Sequence, residues 1–248
     1  MAKSDAAFLQ GLHEHALKKQ EAFFANISNR LGRSKPLASA PAHPMKGAPA
    51  FWAEVDLPME DRIQLFMSNW QKAGGHTKRL QGMAEAEAFI ADFIAQTQAK
   101  HLIMQDQPEL KELREGLSAG TDTDITVWNS QGADSVAKDE LVAKAAGADI
   151  GIVAVQHAVA YTGSLVVTSD STRGRSVSLL PTTFIAMIPV DRLKTKLGEV
   201  LRPFDELALG ERPAGIHFIS GPSRSADIEN DLTIGVHGPG IVYALIIE

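Results

Sequence analysis

Two polar segments bounded by glycine and proline hold the side chains best suited to chemistry, GPSRSAD at 221–227 and VHGPG at 236–240. Arg224 offers a planar fork of N–H donors that suits a carboxylate or a phosphate. Ser223 adds a hydroxyl group beside it, and Gly221 permits a tight exit or the close approach of a ligand. The first segment therefore predicts a binding site for a small anion.

The second segment carries His237, whose imidazole could act as an acid or a base near neutral pH. Asp227 adds a carboxylate to the first segment, and residues 219–240 could close on themselves to bring these groups together. The ordinary alternative is a helix N-terminus in which Arg224 pairs with Asp227 or Glu229, with His237 as a loop histidine bonded to a backbone carbonyl.

A second candidate cluster joins the turn at 160–164 (AYTGS) to the basic segment at 171–181 (STRGRSVSLLP). Small turns of this kind can present backbone N–H and hydroxyl groups to an anion, and arginine can supply the charge. The residues assigned to the ligand here are Thr162, Gly163, Ser164 and Arg175. The alternative is a hairpin turn followed by a solvated basic loop.

The composition excludes several classes of protein. Cysteine is absent from the 248 residues, so disulfides, thiolate nucleophiles and cysteine-ligated iron–sulfur clusters are ruled out. A net charge of −6 argues against broad nucleic-acid binding. The HExxH, GxxxxGK[ST], GxGxxG and GxSxG motifs are all missing, and no histidines stand at ligand spacing, so no metal site is predicted.

The N-terminal region predicts an arm and a linker. Apolar residues recur at helical spacing over 5–33, with Gly32 as a stop. This helix either stands off the core or packs onto it. Proline, alanine and serine dominate 34–50, which predicts an extended linker. We therefore divide the chain into a helix with its linker at 1–50 and an α/β domain at 51–248.

Short strands and helices alternate after a helix at 58–75 that a glycine pair ends. The predicted strands are 76–80, 101–104 and 125–128, and the predicted helices are 84–100, 108–117 and 135–146. Strands that alternate with helices of this length imply right-handed crossovers and a mostly parallel sheet.

From residue 150 onward the chain becomes a series of apolar strands joined by short connections. The predicted elements are strands at 150–160, 164–169, 184–190, 216–220 and 241–248, and a helix at 191–201 capped by Asp191. The turn at 160–164 indicates antiparallel pairing. The predicted fold is α/β, with a Rossmann-like, mostly parallel sheet, an antiparallel portion and an N-terminal helical arm. The strand at 216–220 would place GPSR at a carboxyl end, where ligands bind in such sheets.

Four segments occur in the order typical of a known family: GADIGIVAVQHAVAYTGSLVV, GRSVSLLP, ISGPSRSADIE and GVHGP. In these the chain resembles the lactate utilization protein C (LutC/YkgG) family, which has a LUD domain. The resemblance covers nearly the whole chain, and its specific motifs lie between Gly147 and Pro239. It implies a fold related to the NagB/RpiA/CoA-transferase group and a role in oxidising L-lactate to pyruvate with two iron–sulfur partner proteins.

Two positions depart from what the resemblance implies. Tyr161 stands where many members carry an acidic residue before the TG turn, and Phe184 stands where many carry histidine. An acid nucleophile of the CoA-transferase kind is therefore missing at 161. These two positions argue more strongly against acyl chemistry by this chain alone than against ligand binding.

Three functions remain open on the sequence. The first is the cluster-free component of a lactate-oxidising system, which binds lactate, pyruvate or a phosphate-bearing cofactor while cysteine-rich iron–sulfur partners carry the electrons. The second is a non-catalytic interaction subunit that docks through its N-terminal helix. The third is a stand-alone transferase or ligase for small acids. With no signal peptide and no transmembrane stretch, we expect a cytoplasmic protein. Homo-oligomerisation and the redox cofactor are left open.

Overall fold

The chain forms two compact units, Met1–Glu54 and Val55–Glu248, in a computed structural model that describes residues 2–35, 39, 55–131, 137–208, 210–228 and 231–248. The first unit contains helix α1 (Ala2–Arg30), where the sequence predicts a helix at 5–33. Gly32 follows at φ +67°, a left-handed conformation that ends a helix. Most of the predicted linker at 34–50 lies outside the described residues.

The large apolar side chains of α1 are exposed along the helix. Phe8 is 67% exposed and Phe23 is 62% exposed. The other exposed members are Leu9, Leu12, Leu17, Phe24 and Ile27, with Leu31 just after the helix. Among the described residues, α1 therefore carries a row of large apolar side chains that are 39–67% exposed.

The second unit contains twelve strands among the residues described. They are β1 (His76–Leu80), β2 (His101–Gln105), β3 (Asp124–Trp128), β4 (Ile150–Ala154), β5 (His157–Val159), β6 (Ser164–Ser169), β7 (Thr183–Pro189), β8 (Leu193–Lys194), β9 (Gly215–Ile219), β10 (Arg224–Ile228), β11 (Asp231–Ile234) and β12 (Ile241–Ile247). Its α-helices are α2 (Met59–Lys72), α3 (Met83–Thr97), α4 (Lys111–Gly120), α5 (Lys138–Ala146), α6 (Ser176–Leu179) and α7 (Leu197–Glu206), and 3₁₀ turns lie at Pro108–Leu110 and Val190–Arg192.

Six parallel strands form the central sheet, in the order β1-β12-β7-β4-β2-β3. Strand β4 and strand β7 are almost entirely buried, as expected for a parallel sheet that is covered on both faces. Antiparallel strands and helices surround this sheet. The predicted fold class, α/β with a mostly parallel sheet and an antiparallel portion, is confirmed.

Apolar layers cover the two faces of the central sheet. One layer includes Ile63, Phe66 and Trp70 of α2, which recur at helical spacing and are fully buried. The opposite layer packs α3 and α4 through residues such as Ile90 and Leu113. Each helix thus buries one apolar stripe against the sheet, which is where most helical stability arises.

A second sheet has the order β8-β5-β6-β9 and packs on the same layer as α2 through residues such as Leu165. It corrects the prediction of one strand at 150–160. The chain leaves the central sheet after Ala154 and enters the second sheet at His157. The side-chain amide of Gln107 bonds to both backbone groups of Ala154 (2.7 and 2.9 Å), so β4 ends on a side chain.

The prediction that a helix begins at Asp191 and runs over 191–201 is also wrong about where the helix begins. Residues 190–192 form a 3₁₀ turn, and β8 follows because Leu193 is buried and pairs with β5. Helix α7 begins after Lys196, whose backbone N–H donates to the Glu199 carboxylate at 2.9 Å. A tertiary strand pairing therefore overrides the local capping signal.

The segment after β9 is a hairpin of β10 and β11, and the alternative of a helix N-terminus at 221–227 is wrong. Strand β9 itself pairs antiparallel with β6 in the second sheet. The rule that ligands bind at the carboxyl ends of parallel strands therefore does not apply to β9.

Candidate functional site

A cavity of about 300 Å³, called here the amino-edge cavity, opens beside the first residues of β7 and β12. Phe184 and Val242 are partners in the strand register and form apolar parts of its wall. The remaining wall comes from β9, α6 and the two glycine- and proline-rich segments. Its polar members are Arg175, Ser178, His217, Ser220, Ser223 and His237.

Backbone hydrogen bonds fasten the GPSR and VHGPG segments to each other. The N–H of Ser223 donates to the carbonyl of Pro239 at 2.9 Å, and the N–H of Gly235 donates to the carbonyl of Ser223 at 2.9 Å. Gly240 donates to Thr182 at 3.1 Å, which ties the second segment to the start of β7. Ser223 and His237 therefore line one cavity, as expected for a span 219–240 that closes on itself.

Gly221 lies in the cavity wall where no other residue fits. Its φ of +93° is in the left-handed region, and a β-carbon there would lie 2.7 Å from the carbonyl oxygen of Ala73. The segment thus passes directly over the end of α2. The glycine is explained by this close backbone approach, and it exposes backbone to the cavity as well.

Arg224 takes a different position from the one that an anion contact requires. Its guanidinium donates to the carbonyl of Ala73 at the end of α2, and Arg224 does not line the amino-edge cavity. The assignment of Arg224 to the anion stays a prediction that this geometry does not favour. The side chain of Asp227 lies outside the described residues.

The turn at residues 162–164 is held by local hydrogen bonds and by packing against α2. The side-chain amide of Asn69 donates to the carbonyls of Ala160 and Tyr161 at 3.0 Å each. Gly163 has φ +59°, and its own N–H donates to the carbonyl of Ala160. Thr162 is exposed and does not line the cavity. The segment forms the hairpin turn between the antiparallel strands β5 and β6, and the assignment of Thr162 and Gly163 to a ligand stays a prediction.

Ser164 connects the turn to the cavity. Its hydroxyl lies 2.7 Å from the hydroxyl of Ser220, a residue in the cavity wall. Ser164 itself is buried, so it acts on the cavity through Ser220. Of the three turn residues assigned to the ligand, Ser164 alone is linked to the cavity by a hydrogen bond, within the part of the chain that is described.

Arg175 is the cation in the cavity wall. It immediately precedes α6, and its carbonyl accepts a hydrogen bond from the hydroxyl of Ser178 at 3.2 Å. Its neighbour Arg173 is held by Asp170, whose pKa is lowered by hydrogen bonds from Arg173 and Thr172 despite partial burial. Among the described residues the Arg175 guanidinium has no such carboxylate, so it is available to a ligand.

His217 is the functional side chain that sequence reasoning missed. Burial, and then the nearby charge of Arg175, hold the pKa of His217 below its ordinary value of 6.5. Its Nε2 lies 2.9 Å from the hydroxyl of Ser169, and its ring lines the cavity. The only signal in the sequence was a titratable residue inside the apolar segment IHFIS, which predicts a buried strand, whereas the residues of β9 are half-buried or exposed.

Phe184 and Tyr161, the two residues that depart from the family pattern, differ in how deeply they are buried. Phe184 is fully buried at the cavity wall, so it replaces a titratable side chain with an apolar one inside the site that the resemblance implies. Tyr161 is 51% exposed on the hairpin turn and is absent from the cavity wall. Within the described residues, no three His, Asp or Glu side chains are grouped closely enough to hold a metal ion.

Fold and site together define an α/β protein with a cavity that carries one arginine and lies between a parallel sheet and a mixed sheet. A family model described as the LUD domain matches residues 63–247, and the chain belongs to the LUD domain family. The resemblance to lactate utilization protein C is confirmed by two relatives of that name. The one from Halalkalibacterium halodurans is 32% identical over 94% of this chain and 99% of its own length. The one from Bacillus subtilis is 29% identical over 90% and 93%.

A solved structure shows the same fold. It is the crystal structure of a DUF162 family protein from Deinococcus radiodurans, with a TM-score of 0.55 and 17% sequence identity. The match covers 77% of this chain and 99% of that one. Among the residues described, no helix has both the length and the apolar character needed to cross a membrane.

Proposed function

We propose that this chain works in lactate utilization and that its amino-edge cavity binds a small carboxylate of the lactate or pyruvate kind. The relatives' names supply the metabolic context. The observation that carries the proposal is Arg175, a cation in the cavity wall with no carboxylate beside it among the described residues. An arginine fork is the side chain that best matches a carboxylate.

The rest of the wall suits a short 2-hydroxy or 2-keto acid. With the carboxylate at Arg175, Ser223 and His237 offer hydrogen-bonding groups to the hydroxyl or keto oxygen, because they line the same cavity. Phe184 and Val242 offer an apolar surface to a methyl group. A cavity of about 300 Å³ holds such a ligand with room for water.

We assign the role of electron acceptor to partner proteins. Oxidation of L-lactate to pyruvate needs an electron acceptor, and no side chain of this chain can serve as one. Because the sequence has no cysteine, iron–sulfur clusters cannot be held here by thiolates. The chain is then the cluster-free component, and cysteine-rich iron–sulfur proteins, as the family resemblance implies, accept the electrons.

Turnover measurements test this assignment. The purified chain given L-lactate and an artificial electron acceptor is expected to form no pyruvate, because the chain binds the substrate but has no redox group that passes electrons to the added acceptor. Addition of the cysteine-rich partner proteins is expected to restore pyruvate formation. Pyruvate production by the isolated chain would contradict the assignment and would require an acceptor site within it.

A second candidate function is an interaction subunit that docks a partner through α1. The observation in its favour is the row of exposed large apolar residues on that helix, such as Phe8 and Phe23. Exposed apolar surface of this extent marks interaction sites in monomeric proteins. The two candidates are compatible, because one concerns the α/β unit and the other the N-terminal helix.

A further inference from the structure

The amino-edge cavity is larger than a three-carbon acid requires. Its volume is about 300 Å³, and cavities of about 300–1,000 Å³ are typical of sites for drug-sized ligands. L-lactate fills about the space of three water molecules, on the order of 100 Å³ at about 30 Å³ for each water. A small acid that places its carboxylate at Arg175 therefore leaves most of the cavity free.

Much of the cavity wall beyond Arg175 is apolar. It includes Leu179, Phe184, Ile219, Pro222, Pro239 and Val242. Among the described residues that line this cavity, Arg175 alone carries a permanent charge. Such a wall stabilises an apolar group by removing it from water, and it offers no partner to a second charged group.

A further cavity of about 540 Å³, called here the adjoining cavity, shares Leu179, His237 and Gly238 with the amino-edge cavity. It lies between the end of α6 and the VHGPG segment. Its apolar side chains are Leu179, Leu180, Pro181, Ile234 and Val236. No aspartate, glutamate, lysine or arginine is found among the described residues that line it. Exposed apolar residues gathered around one concave surface mark a binding site.

Leu179 is common to both cavities and is not buried by the fold. It is the last residue of α6 and is 36% exposed, whereas Val177, two residues earlier, is fully buried in the core. Ile234 and Val236 are exposed in the same way across the adjoining cavity. An apolar group that enters from the amino-edge cavity would therefore bury side chains that the described chain leaves in water.

From these observations we infer that the amino-edge cavity selects 2-hydroxy or 2-keto acids whose side chain is a branched aliphatic or aromatic group larger than the methyl group of lactate. This assignment rests on the proposed function, because it places the carboxylate at Arg175. The apolar side chain lies along Ile219 and Leu179 and extends towards the adjoining cavity. Charge complementarity positions one end of the ligand, and apolar burial selects the other.

Calorimetric titration of the full chain with L-lactate, L-2-hydroxybutyrate, L-2-hydroxy-4-methylpentanoate and L-malate tests this selectivity. Each added methylene group is expected to raise affinity about fourfold, so L-2-hydroxy-4-methylpentanoate should bind at least about tenfold more tightly than L-lactate. L-malate should bind more weakly than L-2-hydroxybutyrate, because its second carboxylate meets an apolar wall.

Three variants locate the apolar side chain of the ligand. Leu179→Ala is expected to reduce the preference for L-2-hydroxy-4-methylpentanoate about fourfold and to leave L-lactate binding unchanged, because only the longer side chain reaches residue 179. Leu201→Ala is the matched control, since Leu201 is also 36% exposed but lies on α7 outside both cavities. It should leave the preference unchanged. Arg175→Ala should weaken binding of every acid in the series.

The outcomes separate this selectivity from the proposed function. If L-lactate binds at least as tightly as the longer acids, the selectivity is wrong and the proposed function stands. A preference that survives Leu179→Ala would also overturn it, since the apolar group would then lie elsewhere. No binding of any acid at concentrations up to about 10 mM would refute the proposed function itself. If Leu179→Ala fails to unfold cooperatively, the series on the unmodified chain still decides the outcome.

Discussion

At the scale of single residues, the amino-edge cavity combines a neutral histidine with an unpaired arginine. Burial and the charge of Arg175 both disfavour protonation of His217, so its pKa lies below 6.5 in the free protein. A bound carboxylate adds a negative charge to the same cavity. The ligand therefore offsets the charge of Arg175 and raises the pKa of His217 again.

This coupling predicts that carboxylate binding takes up protons. Affinity for L-lactate or pyruvate should increase as the pH falls below about 6.5, the ordinary pKa of histidine, because the ligand raises the lowered pKa of His217 and so favours its protonated form in the complex. Calorimetry in buffers with different ionisation enthalpies measures the proton uptake. His217→Gln should reduce it strongly. An affinity that is independent of pH in the unmodified chain would refute the coupling.

The polar residues also show the limit of sequence reasoning about the site. Glycine, proline and serine in GPSR and VHGPG correctly indicated two restricted segments, and the structure brings them together through Ser223. The sequence could not tell which arginine faces the cavity. Arg224 is drawn to the carbonyl end of α2, whereas Arg175 lines the wall, and both facts depend on packing between distant elements.

At the scale of elements, the predictions hold where a local pattern coincides with a tertiary role. β1 has the predicted bounds, and the glycine pair ends α2 as expected, with Gly74 at φ +92°. The prediction of a single strand at 150–160 is wrong because this apolar segment contributes one strand to each of two sheets. The helix predicted at 191–201 starts later because Leu193 pairs into the second sheet. Apolar character records burial and does not say in which sheet a strand lies.

The hairpin turn between β5 and β6 provides an element-scale prediction. Gly163→Ala should lower the free energy of unfolding by about 1–3 kcal/mol, because φ is +59° and the new β-carbon would lie 2.8 Å from Cβ of Asn69. Gly198→Ala in α7 is the matched control, since nothing lies within 4 Å and alanine favours a helix by about 1 kcal/mol. Urea unfolding measures both, and equal effects would contradict the packing account.

Helix α1 gives a second prediction at this scale. Deletion of residues 1–33 should leave L-lactate binding unchanged, because the cavity belongs entirely to the α/β unit. The same deletion should weaken assembly with the cysteine-rich partners, because the exposed apolar residues of α1 are lost. Size-exclusion chromatography of the mixed proteins measures the assembly. Full assembly of the truncated chain would exclude α1 as the docking element.

At the scale of the whole molecule, the central sheet has a cavity at each edge. The amino-edge cavity carries Arg175 and two histidines, and a second cavity beside the ends of β2 and β3 carries Lys111 and Arg114. The sequence predicted a mostly parallel sheet and an antiparallel portion, which lies in the second sheet. It could not predict the second cavity, because that cavity depends on strand order, and strand order is set by crossovers that leave no local pattern.

The central claim is that the amino-edge cavity binds a small carboxylate through Arg175, and calorimetric titration with L-lactate and pyruvate tests it most directly. The unmodified chain should bind at least one of them, and Arg175→Ala should weaken binding by at least about tenfold, the loss expected of a charge-assisted bond. Arg224→Ala should bind as before, since its guanidinium is bonded to Ala73. Loss of binding in Arg224→Ala with full binding in Arg175→Ala would contradict the account.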